Sequence, residues 1–182
     1  DILEVEPVQT LIENLVEENG NSLPEHISTT KPTSDNTNKH LRFRIHSPVS
    51  LDLYDADDNH TGLIATTSDS DFRRFEAEIP NSYYKEFGEV KYAGAGGDSP
   101  TQVVLVGQDT GTFTLEIEEV QGNEVTESSV YTDIPVVEGA RATVAVDDLA
   151  SAPALLLDID NDGVGDAIVG SGEGISAEEM VG

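Results

Sequence analysis

LRFRI, residues 41–45, alternates apolar and charged side chains without a break. A period of two puts Leu41, Phe43 and Ile45 on one face of a strand and Arg42 and Arg44 on the other. The period returns at Val49, Leu51 and Leu53, with Ser50 and Asp52 between them. His46-Ser47-Pro48 interrupts the ladder and reads as an edge or a bend. Further strands are expected over 62–66, 73–79, 89–92, 102–106, 112–120, 124–131 and 140–146, separated by Gly, Asp and Asn clusters. Gln121-Gly122-Asn123, lying between two alternating runs, predicts a hairpin that pairs Phe113, Leu115 and Ile117 with the next strand. Gly94–Pro100 reads as a flexible turn. Short strands at this spacing, with no helical period between them, predict an all-β antiparallel β-sandwich over 41–150, of Ig-like or jelly-roll type.

Both flanks differ from this region. Val8, Leu11, Ile12, Leu15 and Val16 repeat at helical spacing, with Pro7 suited to a first turn and Gly20 to a stop. A short helix is therefore expected within residues 1–20, either packing on the sandwich or closing a domain upstream. Residues 21–40 are rich in Ser, Thr, Asn and Pro and read as a polar linker. Residues 151–182 read as an apolar strand at 153–159, an Asp/Gly loop, a strand at 167–169 and a short helix opening with the capping pattern Ser176-Ala177-Glu178-Glu179.

Composition narrows the function. The 182 residues carry 9 Lys plus Arg against 36 Asp plus Glu, a formal charge of −27. Phosphate backbones need a basic face, so nucleic acid is excluded as a partner. Anionic membrane surfaces are excluded on the same ground. No run of about 18 apolar residues is present, which excludes membrane insertion by a helix. Absence of cysteine removes disulfides and thiolate metal sites. Asp1-Ile2-Leu3-Glu4 has no basic leader pattern, so the chain reads as a mature protein or a piece of a longer one.

The sharpest local signal is Asp158-Ile159-Asp160-Asn161-Asp162-Gly163-Val164-Gly165-Asp166. Acids at relative positions 1, 3, 5 and 9, with Gly at 6, match the start of a calcium loop. Ca²⁺ takes six to eight oxygens, and alternate side chains of a tight turn converge on one point. The expected ligands are Asp158, Asp160, Asp162 and Asp166, with Val164 supplying its backbone oxygen. Position 12 is Val169, so the bidentate Glu of an EF-hand is missing, and the flanks read as strands. A second acidic turn, Asp55, Asp57, Asp58 and Asn59, has poorer spacing and reads as a solvated hairpin turn. His26, His40, His46 and His60 stand at no metal spacing, and no nucleophile elbow or phosphate loop is present. No catalytic residue is assigned.

Several stretches, HSPVSLDLYDADDNHTG (46–62), IPNSYYKEFGEVKY (79–92), GTFTLEIEEVQGNEVT (111–126), VYTDIPV (130–136) and LLLDIDNDGVGD (155–166), resemble the C-terminal β-rich accessory region of large secreted bacterial and archaeal lipase-type α/β-hydrolases. VQTLIENLVEENGNSLPEHIS (8–28) is similar to the helix and linker that close the hydrolase domain in those proteins. The resemblance implies a catalytic domain upstream and no catalytic residue here. The combined expectation is a non-catalytic, calcium-stabilised accessory domain of an extracellular or cell-surface protein. Two rivals share the composition. One is a structural surface protein (an S-layer, adhesin or filament subunit) that docks on neighbouring subunits. The other is a carbohydrate-binding module, for which Tyr54, Tyr83, Tyr84, Tyr92 and Tyr131 are the tyrosine platforms available.

Overall fold

A computed structural model describes residues 9, 12, 38–46, 48–64, 74–96 and 100–172. The chain divides into two compact units, Asp1–Ser34 and Asp35–Gly182. The expected N-terminal helix lies outside the described residues apart from Gln9 and Ile12, and the expected C-terminal helix lies wholly outside them.

The second unit holds twelve described strands: β1 Lys39–His46, β2 Asp52–Tyr54, β3 His60–Ile64, β4 Arg74–Ala77, β5 Tyr83–Phe87, β6 Val90–Gly96, β7 Gln102–Val106, β8 Gly111–Gln121, β9 Glu124–Val136, β10 Arg141–Ala145, β11 Leu155–Asp158 and β12 Ala167–Val169. They form a five-stranded sheet, β5-β6-β1-β8-β9, and a seven-stranded sheet, β12-β11-β10-β7-β2-β3-β4. Every pairing among them is antiparallel. The chain changes sheet after β1, β4, β6, β7 and β9. This is the all-β sandwich that the alternation predicts.

Alternation builds the core directly. Leu41, Phe43 and Ile45 of β1 face Phe113, Leu115 and Ile117 of β8 on the inner side, at 0–1 % exposure. Leu53, Val103, Leu105, Ala142 and Val144 come from the other sheet and, with Leu51 just before β2, join the same cluster. Full burial of one such Leu, Ile or Phe contributes about 1.5–3 kcal/mol. The outer side of β1 is zipped to β8 by Arg42–Glu118 at 2.8 Å and Arg44–Glu116, and at the strand's open end Lys39 meets Glu119 at 3.0 Å. Tyr131 is buried, and its hydroxyl donates to the Pro153 carbonyl at 2.5 Å. The β8–β9 hairpin closes on Gly122-Asn123 between the pair Gln121 and Glu124. Gly122 has φ +64°, a conformation glycine adopts without the clash a Cβ brings.

Some boundaries differ from expectation. β1 opens at Lys39, inside the stretch read as linker. Gly94–Gly96, read as a flexible turn, is the end of β6, paired to Arg42, Leu41 and His40. β5 appears in no alternating run of the expected kind, because its aromatic residues Tyr83 and Phe87 are exposed. The hairpin of β11 and β12 continues the seven-stranded sheet, and Leu155, Leu157 and Val169 enter the common core.

Candidate metal centre

The loop between β11 and β12 is shaped by its own acids. Asp158 ends β11 and is 9 % exposed. Its Oδ2 accepts the Gly163 amide at 2.9 Å, which folds the loop back over the strand end. Asp160 Oδ1 accepts from the Asp162 amide at 3.2 Å, and Asp162 Oδ1 accepts from the Val164 amide at 2.8 Å. Asp166 Oδ2 accepts the Ile159 amide at 2.7 Å, while the Asp166 amide donates to the Leu157 carbonyl at 2.8 Å, closing the mouth of the loop. Asn161 and Gly163 take positive φ, +57° and +89°. These are residue types that tolerate the left-handed region, and Gly at the sixth position serves the sharp turn for which the spacing calls.

The result is a cluster. One carboxylate oxygen from each of Asp158, Asp160 and Asp166 lies within 4.8 Å of the others. Asp162, the fourth expected acid, stands outside that cluster, and its Oδ1 is engaged by the loop's own backbone. The Val164 side chain is exposed. Asp158 Oδ1 is buried and has no hydrogen-bond partner among the described residues. A buried carboxylate oxygen without a donor is costly unless a water or a cation meets it.

The second acidic turn shows the contrast. Asp55 Oδ1 accepts from the amides of Asp57 and Asn59, each at 2.9 Å, and its Oδ2 accepts from Asn59 Nδ2 at 2.8 Å. The Asn59 hydrogen bonds hold the Asp55 carboxyl below the ordinary carboxylate range. Both of its oxygens are satisfied by the turn itself. This is the solvated hairpin turn that the sequence suggests.

A third constellation is invisible to spacing. His60, at the start of β3, has Nε2 3.0 Å from Asp52 Oδ1 on β2 and Nδ1 2.5 Å from Glu76 Oε1 on β4. Gly62 makes the contact feasible, since a Cβ there would stand 2.4 Å from Asp52 Oδ1. Asp52 Oδ2 accepts from Ser50 Oγ at 2.6 Å, and Ser50 Oγ in turn accepts from the Val106 amide at 3.1 Å. The serine therefore addresses a carboxylate rather than the imidazole, which is not the order a nucleophile and its base require. The group is a cross-strand clasp on β2, β3 and β4.

No protein-family model, no curated protein and no solved structure matches the chain. Among the described residues no helix is long and apolar enough to cross a membrane.

Proposed function

We propose that the chain is a non-catalytic β-sandwich module of an extracellular or cell-surface protein, with one Ca²⁺ pinning the hairpin of β11 and β12. The observation that carries this reading is the buried, undonated Oδ1 of Asp158 beside the carboxylates of Asp160 and Asp166. In this reading those three residues are the primary ligands, and Asp162 and the Val164 carbonyl complete the oxygen set. A hard cation with flexible coordination suits such a loop, whereas Mg²⁺ demands a tight octahedron and releases water reluctantly. The ion serves as a staple. Because Leu155, Leu157 and Val169 on the two flanking strands are core residues, order in the loop propagates to the end of the seven-stranded sheet. The module's role is to stabilise or position what it is joined to. The resemblance in sequence supports a lipase-type hydrolase domain upstream.

Thermal melts in millimolar calcium and in chelator, for the native chain and for Asp160→Ala, test the reading. At a calcium concentration about 100 times the dissociation constant, binding stabilises the folded state by about 2.7 kcal/mol. For a unit of this size that is about 5–11 °C in Tm. The native protein is expected to lose that margin in chelator, and Asp160→Ala to melt at nearly the same temperature in both media. Identical responses of the two proteins would reduce the loop to a hairpin turn.

A further inference from the structure

The outer face of the five-stranded sheet carries a second arrangement that the calcium reading does not use. The register aligns Tyr83, Gly94, Arg42 and Glu118 in one row across β5, β6, β1 and β8, and Lys85, Tyr92, Arg44 and Glu116 in the next. Gly94 leaves a gap in the first row, and Tyr83 fills it: a Cβ at Gly94 would lie 2.5 Å from Tyr83 Cε1. The Tyr83 ring thus leans across the sheet and remains 41 % exposed. Lys85 Nζ stands 5.7 Å from its centroid. Tyr92 meets the edge of Phe87 with centroids 6.1 Å apart.

Between these rows lies a cleft of about 400 Å³, lined by Arg42, Arg44, Tyr83, Tyr92, Glu116 and Glu118. A second cleft, about 450 Å³, adjoins it and shares Tyr83 and Tyr92, with Lys85 and Phe87 on its far side. Both volumes fall in the range of ligand sites, roughly 300–1,000 Å³.

We propose that this face binds a neutral oligosaccharide, with Tyr83 and Tyr92 as stacking platforms and the Arg42–Glu118 and Arg44–Glu116 pairs as hydrogen-bonding partners for its hydroxyls. The chemistry of the lining selects that class. Each guanidinium donates to its glutamate and keeps further N–H donors, and each glutamate keeps acceptor capacity. Donors and acceptors therefore stand side by side, and hydroxyl groups both donate and accept. An apolar ligand would strip water from four charged groups and return nothing. A polyanion would have to displace the glutamates and approach a chain of charge −27. The lining itself holds three cations against two carboxylates, so it is nearly balanced where the chain as a whole is strongly acidic. Sugar rings present C–H faces that pack on aromatic faces, and two adjoining clefts divided by the tyrosines suit more than one ring.

The experiment is a microarray of neutral and uronic-acid oligosaccharides probed with the full chain in calcium, followed by calorimetric titration of the best-retained glycan. Neutral glycans are expected to be retained. Affinity is expected to fall about tenfold or more in Tyr83→Ala and in Arg42→Met. Lys39→Met, outside the clefts, should bind as the native chain does. Asp160→Ala, assayed below its melting temperature, should also bind normally, which separates failure here from failure of the calcium reading. Retention of no neutral glycan, retention of acidic glycans only, or native affinity in a folded Tyr83→Ala would overturn the proposal.

Discussion

Replacing Gly107 by alanine is expected to cost the protein about 3 kcal/mol, and the reason lies in three hydrogen bonds. Gly107 follows β7, where the chain leaves the seven-stranded sheet for β8 in the other. Its amide donates to the Ala140 carbonyl at 2.8 Å, and its carbonyl accepts from the Gly139 amide at 2.9 Å. The Val137 carbonyl accepts from the Ala140 amide at 3.1 Å in the same strip. A Cβ on residue 107 would stand 2.1 Å from that Val137 oxygen and 2.9 Å from Val136 Cγ2. A comfortable carbon–oxygen approach is about 3.3 Å, so the backbone at Val137 must move by about 1.2 Å. Such a shift disturbs all three bonds, each with a net contribution of about 1 kcal/mol. For a unit of 148 residues (182 − 35 + 1) the loss is about 6–12 °C in Tm. Gly96→Ala is the matched control, because a Cβ there meets no atom of the described residues within 4 Å. Urea denaturation followed by circular dichroism compares the two. A Gly107→Ala protein within about 1 kcal/mol of the native one would refute the steric argument.

Two more predictions concern charged groups. His60→Phe removes both ring nitrogens from a clasp whose Asp52 is 9 % exposed, leaves that carboxylate without its imidazole partner, and is expected to cost about 3 kcal/mol in urea denaturation; a cost below about 1 kcal/mol would show that the clasp is ornamental. Hydrogen bonds from Thr126 and Lys39 hold the Glu119 carboxyl below its ordinary value, so its stabilising contribution is present above that value and fades as pH falls through the lowered folded one. The Tm gap between native and Glu119→Gln should therefore be largest near neutrality and close only once the pH has fallen below the ordinary carboxylate range, and a gap independent of pH would contradict this.

How much of this was legible beforehand depends on how local each signal is. The β8–β9 hairpin and the inner faces of β1 and β8 follow from alternation within a few residues, and alternation sees them. The loop at 158–166 is equally local: its spacing marks the acids, although only the folded backbone shows Asp162 engaged by the Val164 amide while Asp158 keeps a bare oxygen. β5 was hidden because Tyr83 and Phe87, its most apolar residues, are exposed, which inverts the pattern a reader seeks. Gly94 looked like a turn because glycine without context argues for one. Its reason for being there is Tyr83, eleven positions away and adjacent only across the sheet. The His60 clasp is hidden in the same way. Its partners lie 8 and 16 residues off and meet only through the meander of β2, β3 and β4.

The zipper between β1 and β8 has a consequence for crowding. Lys39, Arg42 and Arg44 are three of only nine basic side chains, and each is bound to a glutamate of its own sheet. Few cations are left to meet the acids of a neighbouring copy. In dilute solution this is a colloidal advantage, since like-charged particles stay apart. When molecules are brought within a screening length, about 8 Å at physiological ionic strength, the repulsion must be cancelled by mobile ions. In a dense film, a fibre or a crystal of this protein, counter-ions are therefore a stoichiometric constituent, and the salt in the surrounding liquid sets how closely the copies can pack.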